Sequence, residues 1–318
     1  FFGTPEECKL EQILAKAYDA FYPVVGDTDV IGFLTGKSSE LGLENSKSYS
    51  NLICVNIEDN IIRQIRDLSE RPEMIDNNGM QQAALAIAAV VLDNPSETTE
   101  WLDFVFKAGG EENGKVTGGD ILPSLINNTN SDGFSDEASP EQNRLWADML
   151  GEIANSLDGY SEYTKVNLYE NPAFLRMYTS FYKLTALGKY TVQIGDSGET
   201  GVPWIADSIE NAIKGFEKTG NPELAQIVYY LNGNSFENIH SDIFSARPEN
   251  IAKDIVMLFA NSGKPSELES SVLPDYGFSI LRNGEAPAYE LVTSVSFNSM
   301  TKKDDECTVN TKYFSSNG

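Results

Sequence analysis

Residues 127–139, NNTNSDGFSDEAS, hold the densest run of side chains that could do chemistry. Asn128, Asn130, Asp132 and Gly133 imitate the opening of a calcium loop, but the twelfth position, where a bidentate Glu is required, is Ser139. The segment therefore reads as a polar turn feeding a helix, with Ser139 as N-cap and Pro140 at the first helical position. No metal or other cofactor is expected. Asp132, Asp136 and Glu137, with Asp196 further along, offer carboxylates for the acid and base pair of a glycoside hydrolase. Because the chain has 48 Asp and Glu residues, that choice carries little weight by itself. His240 is the single histidine, too few for a His-rich metal site, and no GxSxG elbow accompanies it. Trp101, Trp146 and Trp204 are possible sugar-stacking platforms, although Trp101 and Trp146 sit at core spacing on helices.

The elements that must position these groups are mainly helical. Apolar residues recur at steps of three and four, each set forming one buried stripe. Leu10, Ile13, Leu14, Ala17, Tyr18 and Phe21 make the first, and Ile57, Ile61, Ile62, Ile65 and Leu68 the second. Residues 80–92 are apolar nearly all round and are expected at the centre of a core. Further stripes run through Trp101 and Phe104, Leu145 to Leu157, Phe174 to Tyr182, Ile205 to Phe216, Leu224 to Leu231 and Ile251 to Phe259. About nine helices separated by Gly, Pro and Asn turns point to antiparallel helical hairpins, in a bundle, solenoid or toroid. After the polar residues 263–266 the period changes: residues 276–281 and 289–297 have the composition of strands, joined by a turn at Asn283–Gly284. This predicts a helical domain over 1–268 and the beginning of a β-rich domain over 269–318.

Composition limits the partners. With 23 Lys and Arg against 48 Asp and Glu, the formal charge is −25, which opposes docking to nucleic acid or anionic membranes. No apolar run approaches the length of a membrane span, so membrane insertion is not expected. Cys8, Cys54 and Cys307 form no CxxC pair and suggest neither a disulfide framework nor a zinc site. The start at Phe1 without Met and the end at Gly318 read as a piece of a longer protein.

Several segments taken in order carry a further signal. They are LAKAYDAFYP at 14–23, residues 57–62 leading to DNNGMQQ at 76–82, SDGFSDEASP at 131–140, VQIGDS at 192–197 and LPDYGFSILR at 273–282. Together they resemble the heparinase II/III-like polysaccharide lyases. The resemblance implies a partial (α/α) toroid followed by an antiparallel β-sandwich, secretion or a periplasmic location, and cleavage of uronate-containing polysaccharide by β-elimination. That reaction needs a group to neutralise the uronate carboxylate, a base for the adjacent proton and an acid for the leaving oxygen. Carried over residue by residue, it implies Asn77 near the substrate carboxylate and Glu137 in the acidic motif. Gln81 stands where a His is expected and Gln142 where a Tyr is expected. The expected catalytic set is Glu137, Gln142, Gln81 and Tyr160, with Tyr163, Tyr169 and His240 as other ionisable groups. The expected substrate contacts are Asn77, Asn78, Gln82, Asn143, Arg144 and Trp204. Because Gln cannot shuttle a proton, a glycan-binding protein with impaired catalysis stands beside the lyase, and a carboxylate-pair hydrolase beside both.

Overall fold

The computed structural model describes residues 4–42, 50–72, 78–187, 190–194, 205–206, 208–241, 248–262, 269–284, 291–297 and 310–315. Its described part is mainly helical, with small antiparallel sheets. The chain forms two compact units, one made of Phe1–Pro123 and Glu152–Val166, the other of Ser124–Gly151 and Asn167–Gly318.

In the first unit, α1 (Pro5–Phe21) begins with a capping box, in which Thr4 and Glu7 satisfy each other's backbone N–H. It is followed by α2 (Thr28–Glu40) and α3 (Ser50–Ile57), then by a π-turn (Glu58–Ile62) that leads into α4 (Arg63–Leu68). Next come α5 (Met80–Leu92) and α6 (Pro95–Phe106). α5 is the centre: Ala83, Ala84, Leu85, Ala86, Ala88 and Ala89 are wholly buried, as the run of apolar residues predicts, and α1, α4 and α6 pack on it. Small side chains all round a helix let neighbours approach closely from every side. α4 and α6 are also tied by charge. Arg63 forms a two-pronged pair with Glu97 at 2.8 and 2.9 Å, and Arg66 bonds Glu100 while lying 4.2 Å over the Phe104 ring. A small hairpin, β1 (Glu111–Glu112) and β2 (Lys115–Val116), turns at Asn113 and Gly114, both with positive φ.

α1 buries only part of the stripe predicted for it. Tyr18 is buried, but Leu10, Ile13 and Phe21 are exposed, and the rest of the inward face is Cys8, Glu11, Gln12 and Ala15. The reason lies opposite: the first turn of α5 presents the Met80 carbonyl and the Gln81 amide, which need polar partners.

The second unit takes up α7 (Ile121–Asn128) from Ser124 onward and most of α8 (Pro140–Leu157). It continues with α9 (Pro172–Ser180), the hairpin of β3 (Thr185–Ala186) and β4 (Tyr190–Thr191), α10 (Ile209–Thr219), α11 (Pro222–Leu231) and α12 (Asn250–Ser262). α10 and α11 form an antiparallel pair whose predicted residues Ala212, Ile213, Leu224, Ile227 and Val228 are buried. Helix gives way to strand between Ser262 and Ser271. A four-stranded antiparallel sheet follows in simple chain order, β5 (Ser271–Leu273), β6 (Phe278–Asn283), β7 (Leu291–Ser296) and β8 (Asn310–Ser315). The division into units does not follow this change of period, since the sheet belongs to the same unit as α9–α12. Among the described residues, no helix is long and apolar enough to cross a membrane.

Candidate functional site

The site residues expected from sequence divide between the two units. Glu137, Gln142, Asn143 and Arg144 belong to the second, and Asn78, Gln81, Gln82 and Tyr160 to the first. Asn77 and Trp204 lie outside the described residues, as do Asp196 and Cys307.

In the second unit, residues 131–140 form a folded loop that opens α8. Asn130 Oδ1 accepts from the backbone N–H groups of Asp132 and Phe134, closing the turn that imitates a calcium loop. Gly133 takes φ +88°, and a Cβ there would collide with the Ser180 hydroxyl and come within 2.5 Å of the Arg176 carbonyl oxygen. Only glycine fits. Ser139 Oγ accepts from Gln142 N at 3.4 Å, the N-cap predicted before Pro140. Asn143 is wholly buried. Its Oδ1 accepts from the Ser135 N–H and hydroxyl at 2.6 and 2.9 Å, and its Nδ2 donates to the Glu137 and Ser139 carbonyls. Both ends of that amide are occupied in shaping the loop that carries Glu137. Glu137 and Gln142 are half-buried, and Arg144 pairs with Asp148 at 3.1 Å while Asp148 accepts from Asn211.

The same loop is clasped by the start of the sheet. Asp132 Oδ2 accepts from the backbone N–H of Asp275 at 2.7 Å and of Tyr276 at 2.9 Å, and Ser131 donates to the Asp275 carboxylate. Tyr276 is 1% exposed, stacks on Phe134 with centroids 4.0 Å apart, and donates its hydroxyl to the Ala138 carbonyl. Asp132 and Tyr276 are thus the residues that fix the loop's position. Asp132 stood out only as a carboxylate of the calcium-like turn and of a possible acid and base pair, and Tyr276 did not stand out as a site residue, because the contact joins positions 144 residues apart.

In the first unit, Gln81 is 2% exposed. Its Nε2 donates to the Ile65 carbonyl and the Ser69 hydroxyl at 3.2 and 3.1 Å, and its Oε1 accepts from the Cys8 thiol. Gln81 therefore links α1, α4 and α5 inside the core. Gln82 is half-buried and donates to the Gly119 carbonyl. Asn78 adopts a left-handed φ of 52° just before Gly79 at φ 77°, a turn that sets the start of α5. Tyr160 donates to Asp93 at 2.8 Å, and burial together with the Asp93 carboxylate raises its phenol above the ordinary value. Tyr163, nearly buried, donates to Asp103, which also binds Lys165; burial and Asp103 push its phenol up as well. Phenols raised in this way stay protonated at neutral pH and are poorly suited to act as a base. His240 is exposed, and Trp101 is in the core of the first unit, as its spacing predicts. Among the described residues, no group of three His, Cys, Asp or Glu side chains is placed to hold a metal ion. Comparison with the profiles of known protein families and with characterised proteins finds no match for this chain.

Proposed function

We propose that the chain is a polysaccharide lyase-like protein, a partial (α/α) toroid leading into an antiparallel β-sandwich, that acts on uronate-containing polysaccharide by β-elimination. One observation carries the reading. Residues 131–140 and 273–282, two of the segments on which the resemblance rests, meet in the second unit through Asp132, Phe134, Ala138, Asp275 and Tyr276. Two segments of the first unit also meet: Tyr18 of 14–23 donates to Glu58 of 57–62. In this reading the clasped loop presents Glu137 and Gln142, and Arg144 supplies the charge that meets the uronate carboxylate. Asn143 acts behind the surface, holding the loop that carries Glu137.

A second reading is favoured by the chemistry of two positions. Gln142 has no titratable proton, and the amide of Gln81 is engaged on both ends within the core, so neither takes the place of a proton-transferring His or Tyr. A glycan-binding protein with impaired catalysis would keep the same loop and the same Arg144. Incubation with a panel of uronate polysaccharides, followed by the ultraviolet absorbance of the unsaturated product, separates the two. Absorbance that grows with time and falls at least tenfold in Arg144→Ala is expected for the lyase. Binding without absorbance leaves the binding protein, and new reducing ends without absorbance would replace both with hydrolysis. A chain that bound none of the polymers would refute the assignment altogether.

A further inference from the structure

α1 buries a carboxyl group in the core of the first unit while leaving Ile13 and Phe21 in solvent. Glu11 is 0% exposed, and neither carboxylate oxygen has a hydrogen-bond partner. Its neighbours on the same face are all committed to the first turn of α5: Gln12 Nε2 donates to the Met80 carbonyl at 3.1 Å, and Cys8 Sγ to Gln81 Oε1 at 3.3 Å. Residues 8, 11 and 12 are one helical face, so α1 grips that turn with a thiol, an amide and an unpaired acid. An ionised carboxylate without donors in such a place is costly, whereas a protonated one carries no charge and gains a donor.

We infer that Glu11 is the moving part of a pH-operated latch: with its proton it lets α1 lie on the first turn of α5, and without it the buried charge drives α1 off that turn. Burial raises the Glu11 carboxyl from 4.5 to about 7; Gln81, whose Nε2 is directed at Ile65 and Ser69, offsets only part of this, and Glu7 adds to it. The other groups facing this region are accounted for. On α1, burial and the nearby Glu11 push the Cys8 thiol up to about 12, so it stays neutral. α5 has no titratable residue between Met80 and Leu92. α4 offers the Ile65 carbonyl, with Ser69 just beyond its end, while its Arg63 is held by Glu97 and Asp59 and its Arg66 by Glu100 and Glu70. In the π-turn, Glu58 accepts from Tyr18 and pairs with Arg63, and Asp59 pairs with Arg63. The short turn at Tyr22–Val24 brings only Tyr22.

The sign follows from a folded value above the unfolded one. The contribution of Glu11 to docking is complete below about pH 4.5 and is lost as the pH rises through about 7. A carboxyl held near 7 when docked and at 4.5 when free weights the opening of α1 on the order of 100-fold. The inference does not depend on the lyase reading, because what it predicts is the opening of a helix. The turn being held carries Asn78, Gln81 and Gln82, so any activity of that segment would follow the same proton.

Hydrogen exchange of residues 5–21 in the full 318-residue chain tests it, read by mass spectrometry between pH 5 and 8 and corrected for intrinsic rates. High salt screens the general repulsion of an acidic surface, leaving the buried group. The expected result is an opening constant that rises on the order of 100-fold across this range in the natural chain and stays flat in Glu11→Gln. Glu7→Gln should leave the rise in place. A flat profile in the natural chain, or an equal rise in Glu11→Gln, would overturn the latch. Should Glu11→Gln fail to fold, the natural chain and Glu7→Gln decide by the same criterion.

Discussion

Replacing Tyr276 with Phe removes one oxygen from the clasp that holds the 131–140 loop and leaves its packing intact. The hydroxyl donates to the Ala138 carbonyl at 2.5 Å from a residue 1% exposed, and the ring lies 4.0 Å from that of Phe134. A buried hydrogen bond contributes about 1 kcal/mol net, and stranding its acceptor adds to the loss, so Tyr276→Phe should cost about 1.5–2 kcal/mol. Tyr276→Ala removes the ring as well and should cost about 4–5 kcal/mol through the cavity against Phe134 and Phe278. Urea unfolding monitored by far-ultraviolet circular dichroism gives both numbers from the midpoint at constant slope. Exchange of the amides of residues 131–140 locates them: Tyr276→Phe should raise it roughly tenfold, 1.4 kcal/mol being one decade. A Tyr276→Phe protein within about 0.3 kcal/mol of the natural chain, with that loop as protected as before, would refute the clasp. Equal losses in the Phe and Ala variants would refute the stacking instead.

Two further outcomes follow from the same geometry. Gly133→Ala places a Cβ against the Ser180 hydroxyl and the Arg176 carbonyl at a φ of +88°, and should lower stability by more than about 2 kcal/mol, measured by thermal unfolding. Glu97→Gln tests the α4–α6 pair: the bond from Arg63 holds the Glu97 carboxyl below its usual range, so its contribution is present above about pH 4.5 and fades as the pH falls through the lowered value. Because both side chains are about a third exposed, the loss at pH 7 should be only about 0.5–1 kcal/mol, and the difference between the two proteins should shrink as the pH of unfolding is lowered below 4.5.

Much of the helical body was legible from spacing alone. The all-round apolar run at 80–92 is the buried α5, and the strand-like runs at 276–281 and 289–297 are β6 and β7, the middle strands of the sheet, with Gly284 at positive φ in the predicted turn. The helices number twelve among the described residues because α2, α3 and α7 are short or weakly patterned and carry no clear stripe of their own. The hairpin at 111–116 was missed although Asn113–Gly114 is a strong turn signal; two-residue strands leave no alternation to see. The face of α1 was misread for a different reason. Periodicity registers apolar side chains, and the partners that turned Cys8, Glu11 and Gln12 inward are a carbonyl and an amide on another helix. The site was legible as segments rather than as side chains. Loop 131–140 was singled out, but the burial of Asn143 and the clasp by Tyr276 depend on contacts that no local spacing encodes.

The chain passes from one compact unit to the other after Pro123, Gly151 and Val166, the second passage falling inside the continuous helix α8. Neither unit is a contiguous stretch, so each is completed only after a segment of the other has been made. The first 123 residues must wait on the ribosome for 152–166, which arrive only after the 124–151 portion of the second unit has emerged. No single cut frees an intact unit, and a fragment ending at Pro123 lacks Tyr160 and Tyr163, the partners of Asp93 and Asp103. For expression, circular permutation or the insertion of a reporter, the exposed β1–β2 turn at Asn113–Gly114 is a safer place to open the chain than any of these crossings.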